Sequence, residues 1–482
     1  MNKFCCFAIA VWLVALLASC SSPEEVAPVE TPEIPEVPVA HVTVPDRSEE
    51  VTESAVRSVA ALFDAAPATR AGEREIGSIH TLRSQAGAPL CYVVNYADDK
   101  GFIVVSATKD YMPVLAFSDE GSFDVTAVDK TGVSVWLAEQ QAVIERAAEL
   151  PDSVRLRCRA MWEAYNTTRE PFWTGPVTRS DVDVVNLITR SIREWEADGY
   201  TVYRLLDFKE TSEFRQLPDE VQRNLLQLPY GYANPNYGGI YAVSFVLKKE
   251  TTNNILVRSL LKTTWNQGNG YDQSIPYGRV AGCTTVAVAQ IMKYHRYPEL
   301  YDWDGMPNNQ ATQTTCDFLY LVGQRIGIKY WLNSSANIDD SAQALRSFGY
   351  TAAKVQDHDK YAVSVELQHN RPVFMRGQKS FTSSGHAWVC DGVWSGTTFT
   401  ELKLMTLEDC PQGYEPSMFL TPYENTAQTG YISTQFHMNW GWGGLYDGYF
   451  VDDDIRIRNN NGEVVKDYRG HRKDIVNIFP VK

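Results

Sequence analysis

One cysteine of the sequence stands where a nucleophile could form. In residues 282–295, a glycine is followed by Cys283 and then by an apolar run that ends in Lys-Tyr-His. The glycine allows a tight turn, and Cys283 then lies at the first turn of a predicted helix, where unpaired N–H groups and the helix dipole favour an anion. That position favours the thiolate, which is the nucleophilic form of cysteine. From this segment alone, a buried cysteine that begins a core helix is an equally good interpretation.

A thiolate nucleophile needs a base, and His386 is the best-placed candidate among the eight histidines. It follows a Ser-Ser-Gly stretch and begins an apolar run, which is typical of a strand that leaves a flexible turn. His295 lies twelve residues after Cys283 on the same predicted helix. That separation is about 18 Å at a rise of about 1.5 Å per residue, so His295 cannot reach the sulfur. The sequence therefore predicts a pair of Cys283 and His386 from distant parts of the chain.

A third segment offers side chains that could orient the histidine. Residues 436–444 read Phe-His-Met-Asn-Trp-Gly-Trp-Gly-Gly, and Asn439 could accept the imidazole N–H of His386. Such a partner fixes the tautomer and the direction of the ring. Trp440 could cover the pair from water, although core aromatics at a strand end are the simpler interpretation of Trp440 and Trp442. We interpret His437 as structural.

The other cysteines and the acidic clusters predict neither a metal site nor a cofactor. Six of the nine cysteines follow residue 20, and none of the nine forms a CxxC pair, so structural zinc has no support. If Cys283 is reactive, the other five cannot all pair within one chain. An acidic run at 452–454 and an Asn-rich run at 459–462 lack EF-hand spacing, and the second is interpreted as a hairpin turn.

The composition excludes several classes of protein. The 482 residues suggest two or three domains, at about 150 residues each. The net charge is −15, and a chain this acidic repels phosphate backbones, so nucleic acid is not an expected partner. Hydrophobic residues make up 44% and aromatic residues 12%, which is ample for a folded interior. The only long apolar run, at 4–18, is too short to span a bilayer comfortably.

The N-terminus predicts export. Lys3 precedes the apolar run, and small residues follow it, which is the pattern of a signal peptide over residues 1–20. Residues 17–20, Leu-Ala-Ser-Cys, resemble the lipobox of bacterial lipoproteins, in which Cys20 would carry the lipid. An ordinary signal peptide with a chance cysteine is the alternative. Residues 21–48 are rich in Pro and Glu and are predicted to be a tether. We expect lipid anchoring to a bacterial outer membrane; which face of that membrane carries the protein stays open, the cell surface being one option, and release after processing is an alternative.

The elements that must position these side chains fall into three parts. Residues 49–180 predict a small α+β unit, 181–255 a linker and activation region with a charged helix, and 256–482 a second α+β domain with a strand-rich second half. The helices expected in the first part are at 51–65, 135–150 and 152–168, with a hairpin over 90–106; the charged helix is at 181–198, and two more helices are expected at 284–294 and 314–327.

The C-terminal segments together resemble streptopain and its bacterial relatives, a family of papain-like cysteine peptidases. The resemblance is carried by residues 282–298, 385–392 and 439–450, which occur in the family's order, and it extends from about 260 to 480. It implies a papain-like domain over 256–482, with Cys283 on a helical side and His386 and Asn439 on a sheet side.

The same resemblance implies the roles of the individual residues. Cys283 would be the nucleophile and His386 the general base and acid. The segment Trp-Asn-Gln-Gly at 265–268 matches one whose Gln helps to form the oxyanion hole, which gives this role to Gln267. Two departures from the family bear on the cleft: a shorter stretch between Gln267 and Cys283, and about 30 additional residues between Trp394 and Phe436.

Residues 49–180 also resemble the family's inhibitory pro-segment, most clearly at 90–106 and 113–118. The resemblance implies a zymogen whose pro-segment blocks the cleft until the chain is cut between about 169 and 262. We therefore interpret the protein as a cysteine endopeptidase with protein or peptide substrates and with its own pro-segment as inhibitor. Two alternatives stay open: an acyl transferase or amidase on the same scaffold, and a non-catalytic surface lipoprotein that binds a partner.

Overall fold

A large antiparallel sheet is the framework of this computed structural model. The predicted signal peptide 1–20, with Cys20, lies outside the described residues, as does most of the predicted tether 21–48. Within the part that is described, no helix is long and apolar enough to cross a membrane. The structure describes residues 39–46, 48–63, 74–166, 168–175, 177, 181–228, 232–233, 240–332, 336–378, 385–408, 417–420, 431–452, 456–458, 464–467 and 472–480.

The N-terminal unit is an α+β fold, as predicted. Its elements are β1 (His41–Thr43), α1 (Glu53–Leu62), β2 (Ile76–Arg83), β3 (Pro89–Tyr96), β4 (Phe102–Ser106), β5 (Val114–Ser118), α2 (Val133–Ile144) and α3 (Asp152–Glu163). The predicted hairpin is β3 and β4, which pair antiparallel, and the three predicted helices form with shorter bounds. Thr52 caps α1, because its hydroxyl accepts the N–H of Ala55 at 3.2 Å.

The first described residues correct the end of the predicted tether 21–48. β1 pairs antiparallel with β6 (Arg169–Pro171), and Val42 and Val44 are buried. Apolar residues at alternate positions of a strand lie on one face, so this short stretch can bury side chains that a solvated tether would expose. The folded chain therefore begins before the predicted boundary at residue 48.

The stretch predicted as a linker and activation region, 181–255, is folded where the structure describes it, at 181–228, 232–233 and 240–255. Its elements are α4 (Val182–Ala197), β7 (Thr201–Arg204), α5 (Leu205–Phe208), α6 (Ser212–Gln216), α7 (Asp219–Leu225), β8 (Tyr232–Ala233) and β9 (Ile240–Val257). The predicted charged helix is α4, which buries Val185, Ile188 and Ile192 on one face. A separate apolar cluster forms between α5, α6, α7 and β9. In the sequence, the charged residues on the outer faces of these short helices interrupt the apolar ones, so the apolar faces were not recognised.

The C-terminal part places helices against a sheet. Its elements are α8 (Cys283–His295), α9 (Gln313–Ile326), α10 (Ile338–Ser347), β10 (Lys354–Asp357), α11 (Lys360–Gln368), β11 (Val373–Gly377), β12 (His386–Glu408), β13 (Ser417–Leu420), β14 (Tyr431–Asn439), β15 (Gly448–Val451), β16 (Arg456–Arg458), β17 (Val464–Asp467) and β18 (Lys473–Val476). The helices predicted at 284–294 and 314–327 are α8 and α9. β9 pairs with the far half of β12 from Val257 opposite Val393 to Ala242 opposite Glu408, so the middle part of the chain is joined to this sheet.

The N-terminal unit continues the C-terminal sheet. The strand order is β10-β18-β11-β12-β14-β15-β5-β4-β3-β2, and the junction is the antiparallel pair of β5 and β15. At this junction Phe117 stacks on Tyr449 with ring centroids 5.0 Å apart, and Trp136 of α2 packs edge-on against Phe450 at 5.0 Å. Trp136 also donates its indole N–H to the carbonyl oxygen of Val451 at 3.1 Å. The two parts therefore share one hydrophobic core.

Candidate active site

Cys283 is the first residue of α8, as predicted. Gly282 precedes it with φ 92° and ψ 145°, a conformation that residues with a side chain rarely adopt. The thiol is free and half-buried, whereas the other free thiols among the described residues are buried. Residues 284–292 are buried, so the helix is fixed in the core, while Gly282 and Cys283 are half-buried. The role of Cys283 as the nucleophile stays a prediction.

Gln267 is brought back to the segment that ends in Cys283. The backbone N–H of Ala281 donates to the carbonyl oxygen of Gln267 at 2.8 Å, which closes the intervening loop. Val280 lies over Gly268, where an added Cβ would meet its Cγ1 at 3.6 Å. Gln267 and Cys283 are 16 residues apart in sequence, and the bond to Ala281 brings their two segments together. The role of the Gln267 amide as an oxyanion donor stays a prediction.

His386 begins β12, which is the strand on which α8 packs. It pairs with Gly377 at the end of β11, and the strand becomes fully buried within a few residues. The elements that carry Cys283 and His386 are therefore in contact, with Cys283 at the first turn of the helix and His386 at the first residue of the strand. The proton transfer between the two side chains stays a prediction.

Asn439 ends β14 and is buried, and its amide joins three segments. Its Oδ1 accepts the side-chain N–H of Gln290 at 2.9 Å and the backbone N–H of Gly441 at 3.1 Å. Its Nδ2 donates to the carbonyl oxygen of Thr263 at 2.8 Å. These bonds tie the sheet to the Cys283 helix and to the segment before Gln267. A further bond from His386 to Asn439 stays a prediction.

Gln290 is a site residue that the sequence reasoning missed. It is fully buried on α8, seven residues after Cys283, and its Oε1 also accepts the backbone N–H of Trp265 at 3.3 Å. The available signal was a single amide in an otherwise apolar helix face. Such a group must find partners when it is buried, but the sequence does not say that the partner is Asn439.

Trp440 packs as a core side chain. It is 2% exposed, and its ring lies 5.0 Å from that of Trp388 and 5.1 Å from that of Phe450. Its indole N–H donates to the carbonyl oxygen of Tyr446 at 3.1 Å. Gly132, in the N-terminal unit, lies directly on this ring, because an added Cβ would be 2.6 Å from Cε3. Shielding of the dyad by Trp440 stays a prediction.

His437 forms a buried pair with Asp391, as a structural histidine would. The Nδ1 of His437 lies 2.6 Å from Oδ1 of Asp391. Burial acts to lower the pKa of His437, but the Asp391 carboxylate outweighs it, so the pKa is raised. Asp447 lies nearby and accepts the backbone N–H of Trp440 at 2.9 Å. Burial raises the pKa of the Asp447 carboxyl to about 7.

The acidic run at 452–454 takes part in an ion-pair network where it is described. Asp452 lies 2.8 Å from Nε2 of His358 and accepts from Arg472 at 2.7 Å, while Asp474 lies 3.0 Å from Nδ1 of the same imidazole. Burial opposes protonation of His358, but the two carboxylates raise its pKa to about 10. The predicted turn at 459–462 lies outside the described residues. Among those described, no group of three or more His, Cys, Asp or Glu side chains could hold a metal ion.

Comparisons with known proteins agree with this arrangement. Residues 265–300 and 299–450 match the Peptidase C10 family, and residues 48–144 match the Spi protease inhibitor family. Residues 265–450 are thus similar to streptopain-like cysteine peptidases, and residues 48–144 are similar to an inhibitory pro-segment. The predicted family and the α+β fold class are thereby confirmed, and residues 145–264 lie outside both matches.

Relatives of this chain include proteins of Streptococcus pyogenes and Porphyromonas gingivalis. Streptopain of Streptococcus pyogenes is 25% identical over 290 residues, which cover 47% of this chain and 63% of streptopain. The thiol protease/hemagglutinin PrtT of Porphyromonas gingivalis is 25% identical over 233 residues, which cover 39% of this chain and 22% of that protein. The alignment therefore spans less than two thirds of either relative. A solved fragment of Prevotella intermedia prointerpain A has a TM-score of 0.43 at 18% identity and covers 84% of this chain and 99% of the fragment.

Proposed function

We propose that this chain is a cysteine endopeptidase that is made as a zymogen, exported and anchored through a lipid on Cys20. The observation that carries the catalytic part is the free, half-buried thiol of Cys283 at the N-terminal end of α8, on which the strand beginning at His386 packs. The export and anchoring parts depend on the sequence of residues 1–20.

The site can carry out acyl transfer to water in two stages. The Cys283 thiolate attacks the scissile carbonyl carbon, and the negative oxygen of the tetrahedral intermediate accepts the backbone N–H of Cys283 and the amide of Gln267. The His386 imidazolium then donates its proton to the leaving amine, which leaves a thioester on Cys283. His386 next takes a proton from water, and the resulting hydroxide attacks the thioester, which releases the acid product and restores the Cys283 thiolate and the His386 imidazolium.

The pro-segment is proposed to keep this site inactive. Three contacts support the idea: β5 extends the catalytic sheet through β15, α2 buries Trp136 against Phe450, and Gly132 lies on the ring of Trp440, next to Asn439. A covalently attached segment has a high effective concentration at its own docking surface, so these contacts persist until the connection is cut. The proposed substrates are proteins or peptides, and the pro-segment is proposed to bind the site as an inhibitor before any substrate does.

Labelling and product analysis test the catalytic proposal. An epoxide thiol inhibitor should modify Cys283 in the processed chain, and the His386→Ala variant should react far more slowly. Peptide substrates should yield new N-termini, as expected of hydrolysis, and no amide-exchanged product when an amine is added. An unmodified Cys283 would favour a non-catalytic binding protein, and an amine-exchanged product would favour the acyl transferase.

A further inference from the structure

A fully buried carboxylate, Asp391, connects three segments of the active site. It lies in β12, five residues after His386. Its Oδ2 accepts the backbone N–H of Leu261 at 2.9 Å, and its backbone carbonyl accepts that of Leu260 at 2.9 Å. Its Oδ1 lies 2.6 Å from Nδ1 of His437, which belongs to β14. Asp391 therefore connects β12, β14 and the segment that leads from Leu260 to Gln267.

Asp391 occupies an irregular position of the sheet. In the pairing of β12 with β14, Cys390 lies opposite Met438 and Gly392 lies opposite His437, so that Asp391 is the additional residue of a β-bulge. A bulge bends its strand and changes the direction in which neighbouring side chains point. The bulge thus lies between the regular pairing of the outer part of β12 and the end that carries the predicted base.

Gly392 allows the backbone at the end of β9, from Val257 to Leu261, to approach β12 closely. A Cβ at this position would lie 2.7 Å from the carbonyl oxygen of Val257 and 2.9 Å from Cβ of His437. Both distances are shorter than real Cβ contacts allow. The Asp-Gly pair at 391–392 therefore has two separate tasks: Asp391 binds the incoming segment, and Gly392 leaves room for it.

Three titratable groups meet at this junction: Asp391, His437 and Asp447. Burial opposes protonation of His437, but Asp391, whose Oδ1 lies 2.6 Å from Nδ1, outweighs burial and raises the pKa of His437. Asp447 and Lys262 also act on His437 electrostatically, and Tyr449 packs edge-on against its ring at 5.1 Å. Removal of one partner of such a pair leaves a buried charge uncompensated, so the arrangement is held firmly.

We propose that Asp391 is a positioning residue of the active site, which sets the relative places of Gln267, His386 and Asn439 by fixing the three segments that carry them. The covalent distances are short: His386 lies five residues before Asp391, Asn439 two residues after His437, and Gln267 six residues after Leu261. The inference rests on the proposed peptidase function. We call the contacts of Asp391 with Leu260, Leu261 and His437 the clamp. A misplacement of about 1 Å among reacting groups can cost about 100-fold in rate, so loss of the clamp should lower kcat.

Kinetics of three variants test this role in the full chain after conversion with a trace of added protease. Asp391→Ala should lower kcat by roughly 100-fold and change KM by less than about threefold, because the reacting groups move while the binding cleft remains. Asp391→Asn keeps an acceptor for the Leu261 N–H and should lose clearly less. Val393→Ala is the matched control: it is a buried residue of the same strand that makes no part of the clamp, and it should keep at least about a third of the wild-type kcat.

A second measurement does not depend on turnover. Amide hydrogen exchange of the intact chain should show that Asp391→Ala loses protection jointly in 260–267 and 436–441, whereas Val393→Ala does not lose it in 260–267. If Asp391→Ala loses protection in both segments but the processed wild type does not hydrolyse peptides, the proposed peptidase function is refuted while the structural role of Asp391 stands. Unchanged exchange in these segments, or a kcat of Asp391→Ala equal to that of Val393→Ala at equal stability, would overturn the positioning role.

Discussion

Glu139 of the pro-segment and Arg472 of the catalytic part form a buried bidentate ion pair. The guanidinium Nε donates to Oε1 of Glu139 at 3.0 Å, and Nη2 donates to Oε2. Arg472 also binds Asp452, which in turn binds His358. Arg472, His358, Asp452 and Asp474 balance each other with two positive and two negative charges, so that the pro-segment adds an unmatched carboxylate to a network that is neutral without it.

We predict that Glu139→Ala, which removes both acceptors of the Arg472 guanidinium, loosens the cleaved pro-segment. Breaking a buried ion pair by removing one partner costs about 3–5 kcal/mol, although here Asp452 still compensates part of the charge on Arg472. The measurement is the dissociation constant of the cleaved pro-segment on a processed Cys283→Ala background, which should rise by at least about tenfold. Glu145→Ala, an exposed change just beyond the end of the same helix, is the control and should leave it unchanged.

The same pair predicts how pro-segment binding depends on pH. Burial raises the pKa of the Glu139 carboxyl to about 7, and this effect outweighs the neighbouring Arg472. The docked carboxyl therefore binds its proton more tightly than the released one, so docking is favoured at acidic pH and weakens as the pH rises through about 7. Affinity at pH 5 should exceed that at pH 8 by roughly tenfold or more. Glu139→Gln should remove most of this difference, and a pH dependence of the opposite sign would contradict the assignment.

The catalytic pair should behave as one unit. Cys283→Ala and His386→Ala should each abolish peptide hydrolysis by the processed chain, and the double variant should lose little more, because neither residue acts without the other. Steady-state rates on a fluorogenic peptide give the result. Substantial hydrolysis by Cys283→Ala would refute the mechanism, while a His295→Ala variant should retain activity, since His295 lies at the far end of α8.

Cys20 should decide where the protein is found. With a lipid on Cys20, the wild type should separate with membranes, and Cys20→Ala should move to soluble or incompletely processed forms with an unchanged catalytic domain. Fractionation and mass analysis of the N-terminal peptide measure both effects. Membrane association that persists in Cys20→Ala, with no lipid on the wild-type peptide, would contradict the anchor.

Local patterns in the sequence were enough to predict the elements that carry the candidate dyad. The apolar run after Gly282 predicts a buried helix with Cys283 at its open end, and the apolar run after His386 predicts a buried strand. Both signals are periodic and lie within one element, so they survive folding unchanged. The three helices and the hairpin of the N-terminal unit were predictable for the same reason.

The contacts between elements could not be predicted in this way. Gln290 and Asn439 are 149 residues apart, and Arg472 is 333 residues from Glu139. Each of these side chains is compatible with a solvated surface when it is read alone, and only the fold supplies the partner that makes its burial favourable. Beyond the predicted charged helix, the described elements within 181–255 were missed because their apolar residues cover only one face of short, charged helices.

The most direct test of the account is the comparison of the intact chain with its processed form on one peptide substrate, with precursor integrity checked by mass and product N-termini sequenced. The account predicts hydrolysis by the processed form, almost none by the intact chain, and none by processed Cys283→Ala. Equal activity of intact and processed chains would contradict the zymogen, and an inactive processed wild type with an accessible Cys283 thiol would contradict the peptidase itself.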